Sequence, residues 1–227
     1  MNTDHSKSLS QNSKLRTRKR IMDAYEQEAF KNGYRVIAGV DEAGRGPLAG
    51  PVVSAAVIFP SIYTNSSPLL NLGIRDSKTL SMRQRNKILL DIYRYAISVS
   101  LGIIWVDDIE TYNIHTASLK AMAIAVKRLN TIPDFVLVDG LFPIKDISIP
   151  QLPIIKGDQL SVSVAAASIV AKTVRDSIMS SYHNTFPCYN FIKNKGYGTK
   201  EHLTAIKQFG PSPIHRKCFK GVKEYLK

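Results

Sequence analysis

Asp41 and Glu42 are adjacent acids closing an apolar run, Tyr34 to Val40, and Gly44-Arg45-Gly46 follows almost at once. Carboxylates at a strand end can hold a hard divalent cation through oxygen ligands. A Gly-Arg-Gly turn lets backbone amides approach a sugar or phosphate closely, since no Cβ intervenes at its glycines. Side by side, the two features suggest metal-assisted phosphoryl chemistry. A third acid, Asp139, ends the apolar run Phe135-Val136-Leu137-Val138. A fourth, Asp176, shares a helical face with Ile169 and Thr173, at i, i+4, i+7 spacing. Each has a bland alternative. Asp139-Gly140 is also a common turn, and Asp176 beside Arg175 is also a solvated helix residue. Asp41-Glu42 is harder to dismiss, because gathered carboxylates need a cation or a proton to offset their repulsion. Successive strand residues point to opposite faces. The two acids therefore converge only if the chain bends, which Ala43-Gly44 allows.

The elements that must position these acids read as an α/β layered domain with a mixed sheet. Helical spacing from Arg20 to Lys31 stops at Asn32-Gly33, and Tyr34–Val40 and Pro51–Phe59 read as strands covered on both faces. Pro60 to Asn71 is turn-rich. Ser81 caps an expected helix to about Arg94, and Ala96–Val106 is an expected third strand. Thr116–Asn130 reads as a helix through Leu119, Met122, Ala123, Val126 and Leu129. Phe135–Val138 and Leu152–Ile155 are short strands, the latter followed by Lys156-Gly157-Asp158. Gln159–Tyr182 reads as one long helix, with small residues around Ala165-Ala166-Ala167 for close packing on a sheet. Helices are expected at Thr199–Gln208 and Arg216–Tyr225, in a basic tail packed against or beside the domain. The expected division is a disordered basic arm over residues 1–19, a catalytic domain over 20–190 and a basic helical tail over 191–227 that aids substrate binding.

The 227 residues carry 31 lysines and arginines against 18 acids, a formal net charge of +13 that favours a polyanionic partner, nucleic acid first. Two cysteines, Cys188 and Cys218, and no secretion-signal pattern point to reduced thiols and a cytoplasmic protein. No apolar run reaches membrane-spanning length, so no membrane partner is expected.

Asp41 to Val52 is similar, nearly letter for letter, to the opening signature of the ribonuclease HII family. The resemblance continues in family order through Asp76-Ser77-Lys78 with Leu80, Val138-Asp139-Gly140, Lys156-Gly157-Asp158, Ala166 to Lys172 with Arg175-Asp176, Gly196-Tyr197-Gly198-Thr199, His202, Pro213, His215-Arg216 and Phe219. It spans about Tyr34 to Phe219. Gly44-Arg45-Gly46 and Asp176 favour the HII over the HIII type, and Cys218 stands where the family usually has serine. The resemblance implies a ribonuclease H-like fold, a mixed five-stranded sheet flanked by helices. It implies hydrolysis of the RNA strand of RNA–DNA hybrids and cutting 5′ of single ribonucleotides in duplex DNA, leaving 3′-hydroxyl and 5′-phosphate ends. Asp41, Glu42, Asp139 and Asp176 would bind two divalent ions, Mg²⁺ or Mn²⁺, and a monomer is the family expectation. One ion would help activate water and the other stabilise the leaving oxygen. Gly44, Arg45 and Gly46 resemble the turn that contacts the 2′-hydroxyl, the group that marks RNA. Tyr197 resembles the tyrosine on the neighbouring sugar, and its glycine neighbours suggest an accessible loop. Lys78 and Lys156 are expected phosphate contacts. Lys193, Lys195, Lys200 and Lys207 are expected to add backbone affinity, and His202 and His215 are assigned no catalytic role. The rivals are another ribonuclease H-like nuclease, which would not need the Gly-Arg-Gly turn with Tyr197, a binding protein without activity, which would lack one of the acids, and a phosphatase for small acidic substrates, which would not need the spread of positive charge.

Overall fold

A close approach between one strand and one helix organises this molecule, and a glycine makes it possible. In the computed structural model, residues 22–60, 74 and 81–226 are described. The expected basic arm, the loop beyond Pro60, Lys78 and the rest of its motif lie outside them. The helix α1 (Ala24–Lys31) leads into strands β1 (Ile37–Ala43) and β2 (Val52–Ile58). There follow α2 (Met82–Tyr95), β3 (Ser98–Ile104), α3 (Val106–Tyr112) and α4 (Ile114–Lys127). Next come β4 (Phe135–Asp139), β5 (Gln151–Ile154), a single turn α5 (Gly157–Leu160) and the long α6 (Val162–Thr185). The chain ends with α7 (Phe191–Asn194) and α8 (Lys200–Phe209), besides two short 3₁₀ turns.

The five strands lie in the order β3-β2-β1-β4-β5. β1 pairs antiparallel with β2 and parallel with β4; β2 and β3 are antiparallel, β4 and β5 parallel. The sheet is therefore mixed, with β1 at its centre. Alternation along β1 sends Ala38 and Val40 to a core shared with Met122, Ala123 and Val126 of α4. The other face lies against α6. A Cβ on Gly39 would sit 2.2 Å from the Ser163 carbonyl carbon, so only glycine admits this approach. Ala165, Ala166 and Ala167 complete the contact with Ala55 and Val57 of β2. Gly102 plays the same part for α4, where a Cβ would lie 1.9 Å from the Ala121 carbonyl oxygen.

Four expectations need correction. β1 runs three residues beyond Val40, because Asp41, Glu42 and Ala43 keep their ladder with Ala55, Ser54 and Val53. The expected helix over Gln159–Tyr182 is broken at Ser161, which is extended and accepts the Val164 N–H as the N-cap of α6. Buried Glu26 of α1 accepts from Ser161 and Ser163 there, which fixes the break. Arg216–Tyr225 forms turns and a short 3₁₀ segment, Lys223–Tyr225, because Arg216 is committed to buried contacts and Gly221 takes φ +94°. Finally, α3 arises where no helix is expected.

The segment after α6 closes over the Gly-rich turn. Phe191, Ala205, Ile206 and Val222 form one core with Leu48, Ala49 and Met179. Among the described residues, no helix is long and apolar enough to cross a membrane.

Candidate active site

The parallel register that sets Val40 beside Val138 places Asp41 and Asp139 at the same level on adjacent strands, one residue further on. Asp41 faces α6 and is 4 % exposed. Its carboxylate accepts the Glu42 N–H at 2.6 Å and a hydrogen bond from Ser168 on α6. Burial pushes the Asp41 carboxyl well above the ordinary carboxylate range, and repulsion from Glu42 and Asp139 adds to this. Glu42 is also raised, by burial first; Arg45, 3.3 Å away, pulls it back down and Asp139 pushes it up. The strand does not bend to make Asp41 and Glu42 converge on one face. Their fields meet because both stand beside Asp139 at the end of the sheet. Asp139 is fixed by the Gly157 N–H, donated to Oδ1 at 2.7 Å. Lys156, just before it, is exposed and left-handed at φ +58°.

Asp176 is not the solvated helix residue that its neighbourhood in sequence permits. It is 7 % exposed and takes Lys172 Nζ at 2.7 Å and Arg85 at 3.2 Å. Ser168, Lys172 and Asp176 succeed one another at four-residue intervals on α6. Asp176 thus stands about 12 Å along the helix axis from the serine that touches Asp41. Asp41, Glu42 and Asp139 lie within electrostatic reach of one another, and Asp176 stands on the helix that covers them. Among the described residues, no three acidic, histidine or cysteine side chains converge closely enough to hold an ion as they stand. The donor chemistry still fits a hard divalent cation: every donor is a carboxylate oxygen, and Asp41, raised by burial first, is raised further by repulsion from Glu42 and Asp139.

Beside the acids lies the Gly44–Gly46 turn. Gly44 is buried with φ +102°, and its missing Cβ leaves room for Arg175 Nε, which would otherwise lie at 2.2 Å. Arg45 and Gly46 are exposed. Tyr197 is 43 % exposed, so the expected accessible loop is present. A Cβ on Gly46 would meet its ring at 4.0 Å. Lys172 and Arg175 lie 5.6 and 5.9 Å from the centre of the same ring. Tyr197 therefore stands between the turn and the Lys172–Asp176 face of α6.

Two arginines, Arg175 and Arg216, which stand in the motifs of the resemblance with no role assigned to them there, hold this turn in shape. Arg216 donates from Nε and one terminal nitrogen to the Gly50 carbonyl, and from its terminal nitrogens to those of Arg45 and Gly44. Arg175 donates to the carbonyls of Pro51, Ala49 and Lys195. Both are fully buried. Burial, with Arg175 nearby, pushes Arg216 down to about 9, which still leaves it protonated at neutral pH. A signal for them existed. An irregular segment with buried carbonyls outside any ladder must find donors elsewhere, and the planar five-donor guanidinium suits several carbonyls at once. Lys195, expected to add backbone affinity, is buried: Nζ donates to Ser180 and its carbonyl serves Arg175.

A ribonuclease H-like sheet with acids at the ends of its central parallel strands defines the class. Its solved relatives agree. The ribonuclease H2 of Pyrococcus horikoshii is 24 % identical, with a TM-score of 0.72 over 84 % of this chain and 96 % of that one. Bst-RNase HIII, solved in complex with Mn²⁺, is 19 % identical, with a TM-score of 0.60 over 87 % and 71 % of the two chains. The model of the family Ribonuclease HII matches residues 38–222. A ribonuclease HII of Syntrophus aciditrophicus is 55 % identical over 199 residues, 88 % of this chain and 91 % of that protein. The chain belongs to the ribonuclease HII family, and it is a ribonuclease H, an endonuclease.

Proposed function

We propose that the enzyme cuts the RNA strand of RNA–DNA hybrids and cuts 5′ of single ribonucleotides embedded in duplex DNA. Cleavage leaves a 3′-hydroxyl and a 5′-phosphate. The observation that carries this reading is the meeting of two features at one end of the sheet. Three neighbouring carboxylates, two of them raised by burial first, stand next to a glycine turn that faces an exposed tyrosine.

Asp41, Glu42, Asp139 and Asp176 would hold two divalent cations, Mg²⁺ or Mn²⁺, with Asp176 giving up Lys172 and Arg85 to join the set. Bound there, such ions supply Lewis-acid activation of water and stabilise charge on the leaving oxygen. The rest belongs to the chain itself. Gly157 keeps Asp139 aimed through its N–H. The exposed Gly46, and the backbone on either side of Arg45, offer polar groups to a 2′-hydroxyl without a side chain in the way. Tyr197 covers the neighbouring sugar and excludes water from that side. Lys156, and Lys78 outside the described residues, would meet phosphates, and the net charge of +13 draws the duplex in. No nucleophilic side chain is needed.

The test is cleavage of a DNA duplex containing one ribonucleotide, with Mg²⁺ or Mn²⁺, beside an all-DNA duplex and the Asp139→Asn protein. A cut 5′ of the ribonucleotide, absent from both controls, supports the reading. A folded protein that binds the duplex and cuts with neither metal would overturn it in favour of binding alone.

A further inference from the structure

The two buried histidines that the chemistry leaves unused form a hydrogen-bond chain with one permitted direction. Ser212 N–H can only donate, and its acceptor is His215 Nδ1 at 2.9 Å. That nitrogen is therefore bare, and the His215 proton sits on Nε2. Nε2 faces His202 Nε2 at 2.9 Å, which must then accept. The proton of His202 is left on Nδ1, which donates to the Tyr197 carbonyl at 2.9 Å. Both rings are fully buried, against Tyr189 and Phe191. The direction is forced by a backbone donor at one end and a backbone acceptor at the other. Any added proton sets two donors face to face, and burial together with His202 pushes His215 down to about 4.

The chain joins the glycine turn to the segment that carries Tyr197. At one end, His215 pairs with Ala49, and Arg216 beside it holds the carbonyls of Gly44, Arg45 and Gly50. At the other, His202 sits in the first turn of α8, capped by Thr199, and reaches back to Tyr197. We propose that His202 and His215 are positioning residues that fix Tyr197 against the Gly44–Gly46 turn, setting the width of the slot that receives the ribonucleotide sugar. This role rests on Tyr197 being a substrate contact, as proposed above. A looser slot lowers cleavage at a single ribonucleotide, because a small misplacement of a positioning group is costly.

Two measurements on the whole protein test it. Long-range ¹H–¹⁵N imidazole spectra of the wild type at neutral pH should show His202 protonated on Nδ1 and His215 on Nε2. The opposite tautomer at either ring overturns the chain, whatever any variant does. In kinetics on the single-ribonucleotide duplex, His202→Phe should lower kcat/KM by about tenfold, and His202→Asn, which restores an amide donor, should recover part of that. In a Tyr197→Ala background, His202→Phe should cost less than about twofold more. Full additivity, with Tyr197→Ala itself costly, sinks the positioning role and leaves the substrate reading of Tyr197 standing. A Tyr197→Ala protein that cuts like the wild type sinks both.

Discussion

The strand-end acids and the glycine turn are neighbours built on opposite principles. Asp41, Glu42 and Asp139 are held together against their own repulsion, and Asp41 is shifted upward by burial and by its two neighbours. The turn is satisfied to excess: Arg216 and Arg175 supply donors to five carbonyls between Gly44 and Pro51. One region stores unfavourable charge that a ligand can relieve; the other spends buried donors on rigidity. The teaching is that a site needs both. A carboxylate cluster binds ions because it is uncomfortable without them, and it selects a substrate only if the wall beside it cannot give way.

The sharpest way to break that contrast is to substitute one residue in each region and compare the signs. Asp41→Asn should lower cleavage by more than about a hundredfold, since even outer partners of metal ligands are worth 10–100-fold. The same change should leave the metal-free fold as stable as before or more so, because it removes a repelling charge. Activity and urea-denaturation curves on one preparation give both signs. A destabilised Asp41→Asn protein would show that the acids serve as structural partners.

Arg216→Met should move both quantities the same way. It leaves the carbonyls of Gly44, Arg45 and Gly50 without this donor, at about 1–3 kcal/mol for each buried group that finds no other, so a loss of roughly 3 kcal/mol or more is expected by urea denaturation. Cleavage of the single-ribonucleotide duplex should fall with it. Arg216→Lys should rescue little, because an ammonium cannot reproduce the fork. A variant with unchanged stability would mean that the turn holds itself.

The same contrast explains what could be read in advance. Apolar runs that end in acids made β1 and β4 and their carboxylates legible, since strands covered on both faces read as continuous hydrophobic stretches. The exposure of Tyr197 followed from its glycine neighbours. The rigid wall was hidden, because an arginine reads as surface charge until the carbonyls around it are counted. The break at Ser161 was hidden as well. It depends on Glu26, 135 residues away, reaching the start of α6. The short α3 carries acids in its first turn and too few apolar positions to show a period.

A smaller effect sharpens the account of the acids through pH. Asp41 has a folded-state pKa raised above its unfolded value. Its contribution to stability is therefore fully present below the ordinary carboxylate range and is lost as pH rises through the raised value. Metal-free protein should lose stability over that window, while Asp41→Asn should show a flatter profile. At neutral pH a divalent cation at a hundredfold excess over its Kd should restore about 2.7 kcal/mol, or roughly 5–11 °C in Tm for a chain of this size. Thermal melts across pH, with and without Mg²⁺, read both. A metal-free stability that rises over the same window would reverse the sign and remove the premise of stored repulsion.

The smallest effect concerns Lys156, which stands at the edge of the acid region in a left-handed conformation. That backbone costs a non-glycine residue about 1–2 kcal/mol, so Lys156→Gly should leave the fold unchanged or slightly more stable while removing one positive charge. Glycine keeps the turn that aims the Gly157 N–H at Asp139, so the arrangement of the acids is spared. If the lysine meets phosphate, binding of an all-DNA duplex and of a ribonucleotide-containing duplex should weaken by the same factor. The slope of log affinity against log salt should become shallower by about 0.9, one counterion fewer. Salt titrations of both duplexes, by fluorescence anisotropy, measure this. An unchanged slope would return Lys156 to a solvated surface charge. A loss confined to the ribonucleotide-containing duplex would move it from attracting the backbone to reading the sugar.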